Sequence, residues 1–267
     1  MKYTIVSRGD KQSIETRKKF TELATRHQLI EDHISPDLII SIGGDGTLLE
    51  AFHSNTHRLK EVAFLGIHTG HLGFYADWQP DEIEKLVNLL VTQPLKTIEY
   101  PLLKLKITTT DQETKEYLAL NEFTVKNIEK TLVMKIKLNH EDFEMFRGDG
   151  LCISTPSGST GYNKSLGGAL LHPTLDSIQI SEMASINNRV YRTIGSPLVL
   201  PKHHYIDLYP QHHGEIRLTL DHLLLKMKHI EKIQGYVADE KIRFARYRPF
   251  PFWNRVREAF IGSQHMD

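Results

Sequence analysis

A glycine-rich loop with one carboxylate is the part of the sequence best suited to chemistry. Gly43, Gly44 and Gly46 surround Asp45 where an apolar run meets a predicted helix that begins near Thr47. Glycine lacks a Cβ, so backbone amides can approach a ligand, and the first amides of a helix favour an anion such as phosphate. Asp45 would repel phosphate unless it accepts a proton, binds a metal ion or faces a hydroxyl group. The alternative is a plain glycine turn in which Asp45 caps the helix.

This loop matches neither of the two common phosphate-binding fingerprints. The dinucleotide pattern G-x-G-x-x-G and the P-loop pattern G-x-x-x-x-G-K-[ST] both differ from the run Ile42-Gly-Gly-Asp-Gly-Thr47. Any phosphate bound here is therefore held by a different arrangement.

A second candidate segment is dense in hydroxyl groups and glycine. Arg147-Gly-Asp-Gly150 leads into Ser154-Thr-Pro-Ser-Gly-Ser-Thr-Gly-Tyr-Asn163. Hydroxyls and free amides at the start of a short helix offer hydrogen bonds to a polar ligand, and Tyr162 adds a flat face for stacking on a base. The alternative is a turn in which Ser157 or Ser159 caps the helix.

The pair Asn121-Glu122 interrupts an otherwise alternating strand pattern. Adjacent residues of a strand point to opposite faces unless a bulge intervenes. Two adjacent polar residues therefore suggest the end of a strand near a ligand, and simple exposure to solvent is the alternative.

The first hundred residues alternate between strand and helix patterns, which predicts an α/β domain over 1–100 with a mostly parallel sheet. The helix over Gln12–Arg26 has Ile14, Phe20 and Leu23 available for one face. Pro80 begins another helix, in which Ile83, Leu86, Val87 and Leu90 recur at helical spacing. The predicted strands are Tyr3–Ser7, 37–42 and 62–67, and a short helix covers Thr47–His53.

From Pro101 the pattern changes to short alternating segments, which predicts an antiparallel β-rich domain over 101–242. The aromatic and basic tail, 243–267, is expected to pack back on the N-terminal domain, because its rings need cover. The predicted strands are 103–107, Tyr117–Lys126, 132–138, 216–220 and Ile233–Val237, with one short helix over Ser159–Gly167.

Composition argues against several classes of protein. Lys plus Arg and Asp plus Glu number 33 each, so the chain lacks the basic surplus typical of nucleic-acid-binding proteins. The single cysteine, Cys152, fits a reducing compartment and an inert core position. No apolar stretch suits a signal peptide or a membrane span, so we expect a cytoplasmic protein without a nucleic-acid or membrane partner. The pairs His203-His204 and His212-His213 lack the spacing of a zinc site, and we expect no protein metal site.

Together these motifs resemble the bacterial NAD kinase family. The family's first motif corresponds to Gly43-Gly-Asp-Gly-Thr47, and its second, Thr-Pro-x-Gly-Ser-Thr-Ala-Tyr, to residues 155–162. The Asn-Glu pair and the Arg-Gly-Asp-Gly run lie between them in the family's order, and similarity includes 66–75, 184–189 and 195–199. The glycine loop alone is shared with phosphofructokinases and diacylglycerol-type lipid kinases.

The resemblance implies a Rossmann-like N-terminal domain, a β-rich C-terminal domain and a site between them. Asp45 would be the general base for phosphorylation of the 2′-hydroxyl of the NAD adenosine ribose. A donor-phosphate loop of Gly43, Gly44, Gly46 and Thr47, and a supporting role for Asp221 and His222, are also implied. The residues implied to contact NAD are Asp45, Gly46, Phe74, Asn121, Glu122, Arg147, Asp149, Ser157, Thr160, Gly161, Tyr162, Asn163, Lys164, Ser165 and Ala184.

The family also implies Mg²⁺ bound with ATP, ATP or polyphosphate as donor, and a homo-oligomer, often a tetramer, whose neighbouring subunit completes the nicotinamide pocket. One residue departs from the family: Gly161 stands where alanine is usual, and we expect weaker or altered nucleotide binding. A kinase with a lipid or sugar acceptor, and a dinucleotide sensor without turnover, are the alternative functions.

Overall fold

The computed structural model describes residues 1–211 and 216–262, which divide into two compact units. The first unit comprises Met1–Glu99 with the described residues from Lys241 onwards, and the second comprises Tyr100–Glu240. The elements of the first stretch are β1 (Lys2–Ser7), α1 (Lys11–Arg26), β2 (Ile30–Glu31), β3 (Leu38–Gly43), α2 (Asp45–His53), β4 (Ala63–His68), β5 (Ala76–Trp78) and α3 (Ile83–Thr92).

The first unit contains a parallel sheet in the order β4-β3-β1-β2, with β5 also parallel to β4. β3 and β4 are buried along their whole length, as expected for strands covered on both faces. Their carboxyl ends lead into the segments that carry Asp45 and Phe74. The predicted α/β domain with a mostly parallel sheet is confirmed.

Helix α1 packs through only part of the predicted face: Phe20 is buried and Leu23 packs against the core, as predicted. Its buried residues are Ser13, Thr16, Phe20 and Ala24, which recur at helical spacing. Ile14 is exposed, so its place on the core face was predicted wrongly. The hydroxyl of Ser13 can take the inner face because it bonds to Asp10 and to Thr69. In α3, by contrast, the four predicted apolar residues are the buried ones.

The second unit is made of antiparallel strands. Two sheets, one in the order β13-β12-β11-β8-β15-β16 and one containing β10-β9-β14-β17 with β6 and β7, share one hydrophobic core. This β-rich domain is also as predicted. The elements are β6 (Thr97–Thr109), β7 (Thr114–Ala119), β8 (Glu122–Asn127), β9 (Leu132–Leu138), β10 (Glu141–Gly148), β11 (Gly150–Ser154), α4 (Tyr162–Ser165), β12 (Ser177–Met183), β13 (Leu198–Pro201), β14 (Ile206–Pro210), β15 (Ile216–Leu220), β16 (Leu223–Leu225) and β17 (Ile230–Ala245).

Three predicted boundaries in this unit were wrong. The single strand expected over Tyr117–Lys126 is two strands, β7 and β8, because the chain turns at Leu120 and Asn121. β17 extends well beyond Ile233–Val237 at both ends. The helix expected over Ser159–Gly167 is a 3₁₀ turn over Ser157–Thr160 followed by α4.

The C-terminal stretch returns to the first unit. Phe244 of β17 pairs in parallel with Phe64 of β4, and α5 (Phe252–Phe260) follows. Phe252 is buried, and Phe74 contacts both its ring and that of Phe260. In residues 1–211 and 216–262, every helix is too short or too polar to cross a membrane.

Candidate active site

The carboxylate of Asp45 is held by backbone amides of a distant segment. The Phe74 amide donates to Oδ2 at 2.9 Å and the Tyr75 amide donates to Oδ1 at 3.1 Å. The N-cap of α2 is Gly44, and no side chain caps this helix end. The alternative in which Asp45 caps its own helix is therefore wrong. Instead, α2 presents the carboxylate to the turn between β4 and β5.

The surroundings of Asp45 favour a basic carboxylate. Desolvation by the surrounding protein raises its pKa, and the Phe74 and Tyr75 amides and the charges of Arg255 and His68 oppose that rise. The net shift is upward. A carboxylate with a raised pKa accepts a proton more readily, which suits general-base chemistry.

Glycines leave room beside this carboxylate. Apart from the chain neighbours and the backbone of α2 itself, no described atom lies within 4 Å of a Cβ placed on Gly44 or Gly46, so there is open space on this side of the loop. Gly73 lies on the other side of the carboxylate, where a Cβ would be only 2.2 Å from Asp45 Oδ1. The predicted loop Gly43–Thr47 is thus in direct contact with residues 73–75 through the side chain of Asp45.

In the second unit, Asp221 binds the Asn121-Glu122 turn. Its Oδ1 accepts the amides of Asn121 at 2.7 Å and Glu122 at 3.0 Å, and its Oδ2 accepts the Leu120 amide at 3.0 Å. Three consecutive amides therefore converge on one carboxylate. The neighbouring His222 is exposed between β15 and β16.

Glu122 lies in an environment that disfavours its charged form. Desolvation raises its pKa to about 8, with a further upward contribution from the negative charge of Asp221. A backbone hydrogen bond from Tyr162 and the positive charge of Lys126 act in the opposite direction. Near neutral pH the carboxyl is therefore largely protonated and can donate as well as accept a hydrogen bond.

The hydroxyl-rich segment wraps closely around the same turn. The hydroxyl of Ser157 donates to the Leu120 carbonyl at 3.1 Å, and a Cβ on Gly158 would be 2.0 Å from the Asn121 carbonyl oxygen. Thr155, rather than the predicted Ser157 or Ser159, accepts the Gly158 amide through its Oγ1 at 3.0 Å. The alternative in which Ser157 or Ser159 caps the helix is therefore wrong, since neither the 3₁₀ turn nor α4 has a side-chain cap.

The remaining residues of this segment divide into inward and outward positions. Asn163 is buried and accepts a 2.6 Å hydrogen bond from Ser181, whereas Lys164 and Ser165 are exposed. The hydroxyl of Thr160 donates to the Ser157 carbonyl at 3.1 Å. Tyr162 is exposed and accepts a 2.9 Å hydrogen bond from Lys126.

Arg147, Asp149 and Ala184 lie near the ends of β10, β11 and β12 in the second unit. The guanidinium of Arg147 lies 4.2 Å from the centre of the Tyr191 ring. Asp149 is exposed and its amide donates to Met183. Ala184 is also exposed and has a positive φ of 44°.

Sequence reasoning missed residues that act on Asp45 from far along the chain. Gly73 was noted only within a run similar to the family, and Arg255 and the Tyr75 amide were not singled out. A glycine in Gly-Phe-Tyr directly before a strand was the available signal for Gly73. The signal for Arg255 was weaker: it is a cation three residues after Phe252, and this spacing places both side chains on the same face of a helix.

The described residues contain no group of three or more His, Cys, Asp or Glu side chains placed to hold a metal ion. The pair His212-His213 lies outside the described residues. Cys152 is buried, and desolvation raises the pKa of its thiol, which fits the predicted inert core position.

Comparison with known proteins identifies the fold and family. A family model described as the ATP-NAD kinase N-terminal domain matches residues 4–95, and one described as the ATP-NAD kinase C-terminal domain matches residues 120–245. The chain thus has the two domains of the ATP-NAD kinase class, in the same order.

Full-length relatives agree with these matches. NAD kinase 1 of Halalkalibacterium halodurans is 59% identical over 98% of this chain and 100% of its own length. An NAD kinase of Staphylococcus epidermidis is 56% identical over 98% of both chains. The chain belongs to the NAD kinase family.

Solved structures share the fold at much lower identity. The yeast NADH kinase complexed with NADH aligns with a TM-score of 0.82 and 19% identity, covering 100% of this chain and 89% of the yeast chain. An NAD kinase from Archaeoglobus fulgidus in complex with ATP aligns with a TM-score of 0.72 and 21% identity, covering 92% and 94% of the two chains.

Proposed function

We propose that the chain transfers the terminal phosphoryl group of ATP to the 2′-hydroxyl of the adenosine ribose of NAD, with Asp45 as general base. The observation that carries this proposal is the fixed carboxylate of Asp45, whose two oxygens accept the Phe74 and Tyr75 amides. It stands at the first turn of a helix beside accessible glycine backbone. Such an arrangement can accept a proton next to a site for phosphate.

The reaction balances as an in-line phosphoryl transfer. The ribose 2′-oxygen bonds to the terminal phosphorus, the bond from that phosphorus to the bridging oxygen of ATP breaks, and ADP leaves. The hydroxyl proton passes to Asp45 and then to solvent. Because phosphoryl transfer has a loose transition state, the protein contributes mainly by positioning the groups and by stabilising charge.

Magnesium is proposed to arrive with ATP. Mg²⁺ commonly binds through substrate phosphates with only one or two carboxylates. When bound, the ion neutralises negative charge on the phosphates. Polyphosphate is the alternative donor and is compared in the same assay.

The binding roles implied for the second unit are part of this proposal. Asn121 and Glu122 would hold the adenosine part of NAD, because Asp221 fixes the backbone at both positions. Tyr162, exposed at the start of α4, would contribute a stacking face. Phe74 would form an apolar wall for adenine, supported by the rings of Phe252 and Phe260.

A homotetramer is also proposed, on the family's example. The segment after β12 exposes apolar side chains, including Val190 at 78% and Ile194 at 48% exposure, and exposed apolar groups of this kind often lie at subunit contacts. A solution mass equal to one chain would contradict this part of the proposal. Location in the cytoplasm stays a prediction from the sequence.

The test incubates the chain with NAD, ATP and Mg²⁺ and measures NADP formation. Parallel reactions with a diacylglycerol or a sphingoid base as acceptor test for a lipid kinase, and binding of NAD without NADP would indicate a sensor. The variant Asp45→Asn should retain NAD binding and lose about 10²–10⁴-fold in kcat.

Glu50→Gln is the matched control for this variant. It removes an exposed carboxylate from the same helix α2, so its kcat should equal that of the parent. Normal turnover by Asp45→Asn would remove Asp45 from the role of general base.

A further inference from the structure

Arg255 of helix α5 is a buried cation that binds the segment beside Asp45. Arg255 is buried, with 8% of its surface exposed. Nη1 donates to the carbonyls of Gly73 at 2.9 Å and Ala76 at 2.8 Å, and Nη2 donates to Asp77 Oδ1 at 2.5 Å. The planar guanidinium suits three acceptors in fixed directions, which a lysine could not satisfy together.

One peptide group links Arg255 to Asp45. The carbonyl of Gly73 accepts from Arg255, and the amide of the same peptide unit, on Phe74, donates to Asp45 Oδ2. A trans peptide is planar, with its C=O and N–H pointing in opposite directions. Fixing the carbonyl therefore fixes the direction of the amide, and each bond polarises the other.

The rest of the guanidinium is tied into a buried ion cluster. Asp77 also accepts from Arg246, and it is buried like Arg255. The ring of Phe250 lies 4.5 Å from the Arg255 guanidinium. These contacts leave Arg255 little freedom, so the Gly73 carbonyl is held by a rigid donor.

We propose that Arg255 is a positioning residue for the general base, because it orients the Gly73–Phe74 peptide whose amide holds the Asp45 carboxylate. This inference rests on the proposed function. It assigns the C-terminal helix α5 a role in catalysis although Arg255 lies 182 positions from Gly73 in the sequence.

Charge supports the same role. The positive charges of Arg255 and His68 both lower the pKa of Asp45 against the larger opposing effect of desolvation. Arg255 itself faces the charges of Asp77 and Arg246. Loss of the Arg255 charge should therefore raise the pKa of Asp45 and move the acid limb of the kcat–pH profile to higher pH.

The test compares Arg255→Lys, Arg255→Gln and Arg246→Lys in the full chain, with folding checked by circular dichroism and thermal unfolding. Arg255→Lys keeps the charge beside Asp77 but cannot reach all three acceptors. We expect its kcat to fall about 10- to 100-fold, the scale of a small misplacement of a catalytic group. The KM for ATP should stay within about threefold, since only transition-state geometry is disturbed.

Arg246→Lys is the matched control. It makes the same substitution in the same cluster, where Arg246 donates to Asp77, whereas the Gly73 and Ala76 carbonyls accept from Arg255. Its kcat and acid limb should match those of the parent. Arg255→Gln should show the acid limb moved upward by about half a pH unit or more.

A folded Arg255→Lys with parental kcat would overturn the proposal. An equal loss of kcat in Arg246→Lys would do so too, because the cluster would then serve stability alone. Failure of Arg255→Lys to fold would count against it for the same reason. A parent chain that forms no NADP refutes the proposed function, whereas an active parent with an unaffected Arg255→Lys refutes only this inference.

Discussion

The backbone of Gly73 lies directly against the side chain of Asp45, so that a Cβ on residue 73 would be 2.2 Å from Oδ1 and 2.5 Å from Cγ. No real Cβ tolerates such distances, and the carboxylate is held in place by two amides. Residue 73 must therefore be glycine for Asp45 to occupy this position. A side chain at residue 73 would therefore displace the Asp45 carboxylate.

Gly73→Ala should displace the Asp45 carboxylate and reduce catalysis. We expect kcat to fall by about 10-fold or more, on the scale of a misplaced catalytic group. Steady-state measurement of NADP formation checks this. Gly70→Ala is the matched control, because apart from the chain neighbours no described atom lies within 4 Å of a Cβ at residue 70 in the same turn. Equal kcat values for the two variants would show that the Asp45 position is unimportant.

Asp221→Asn should weaken the turn that carries Asn121 and Glu122. The asparagine keeps the shape of a side chain at a positive φ of 50° but turns an NH₂ group toward at least one of the three amides. We expect the free energy of unfolding to fall by about 1–3 kcal/mol and the KM for NAD to rise by about tenfold.

Urea unfolding and initial-rate kinetics measure these two effects of Asp221→Asn. Asp239→Asn removes a carboxylate that is 99% exposed and should change neither quantity. A parental KM for NAD in Asp221→Asn would mean that this carboxylate does not position the NAD site.

Glu122 should make the stability of the protein depend on pH. Its pKa is raised from 4.5 to about 8 in the folded chain, so the folded state binds more protons than the unfolded state between these values. Stability is therefore fully present below about pH 4.5 and is lost as pH rises through 8. Because the side chain is partly exposed, we expect a loss on the order of 1–3 kcal/mol.

Denaturant unfolding between pH 5 and 9 tests the Glu122 prediction, with Glu122→Gln as the comparison. Glutamine cannot ionise, so the difference between the two unfolding free energies should change across this range. A constant difference would show that the carboxyl titrates normally.

Gly161→Ala restores the residue usual in the family. Backbone φ and ψ at residue 161 are −89° and −136°, outside the main regions of residues with a Cβ, so we expect the free energy of unfolding to fall by about 1–3 kcal/mol. A methyl here would lie 3.1 Å from Glu122 Oε2 and 3.3 Å from the Gly158 carbonyl, which requires Glu122 to move slightly. We take ~0.8 kcal/mol as the contribution of the added methyl group to the free energy of NAD binding.

We therefore expect the KM for NAD to fall about fourfold in Gly161→Ala, while kcat stays near that of the parent. Initial rates at varied NAD concentration measure this. A higher KM would show that the contact with Glu122 outweighs the added packing.

Much of the architecture was predictable because its signals are local. Apolar residues at helical spacing identified the buried face of α3, and continuous apolar runs identified β3 and β4. Local patterns failed at the turn of Leu120 and Asn121, where an alternating run continued across a real break between β7 and β8. That break depends on Asp221, 100 positions further along the chain than Asn121.

In the candidate site, too, the motifs were predictable from neighbouring residues, whereas the contacts between distant residues were not. The order of residue types in Gly43–Thr47 and 155–162 was enough to indicate the family, because each motif consists of neighbouring residues and can be recognised from the sequence alone. Which groups hold Asp45 was decided only by the folded structure. Phe74 lies 29 positions from Asp45, and Arg255 lies 182 positions from Gly73.

The sequence by itself determined the succession of strands and helices, the reactive carboxylate and the family resemblance, because each depends on neighbouring residues. The tertiary structure decided which amides bind Asp45, why residue 73 has no side chain and why an arginine near the C-terminus is buried. These contacts depend on how strands and turns meet in space, and a hydrogen bond is sensitive to distances of tenths of an ångström. No spacing along the chain encodes such distances.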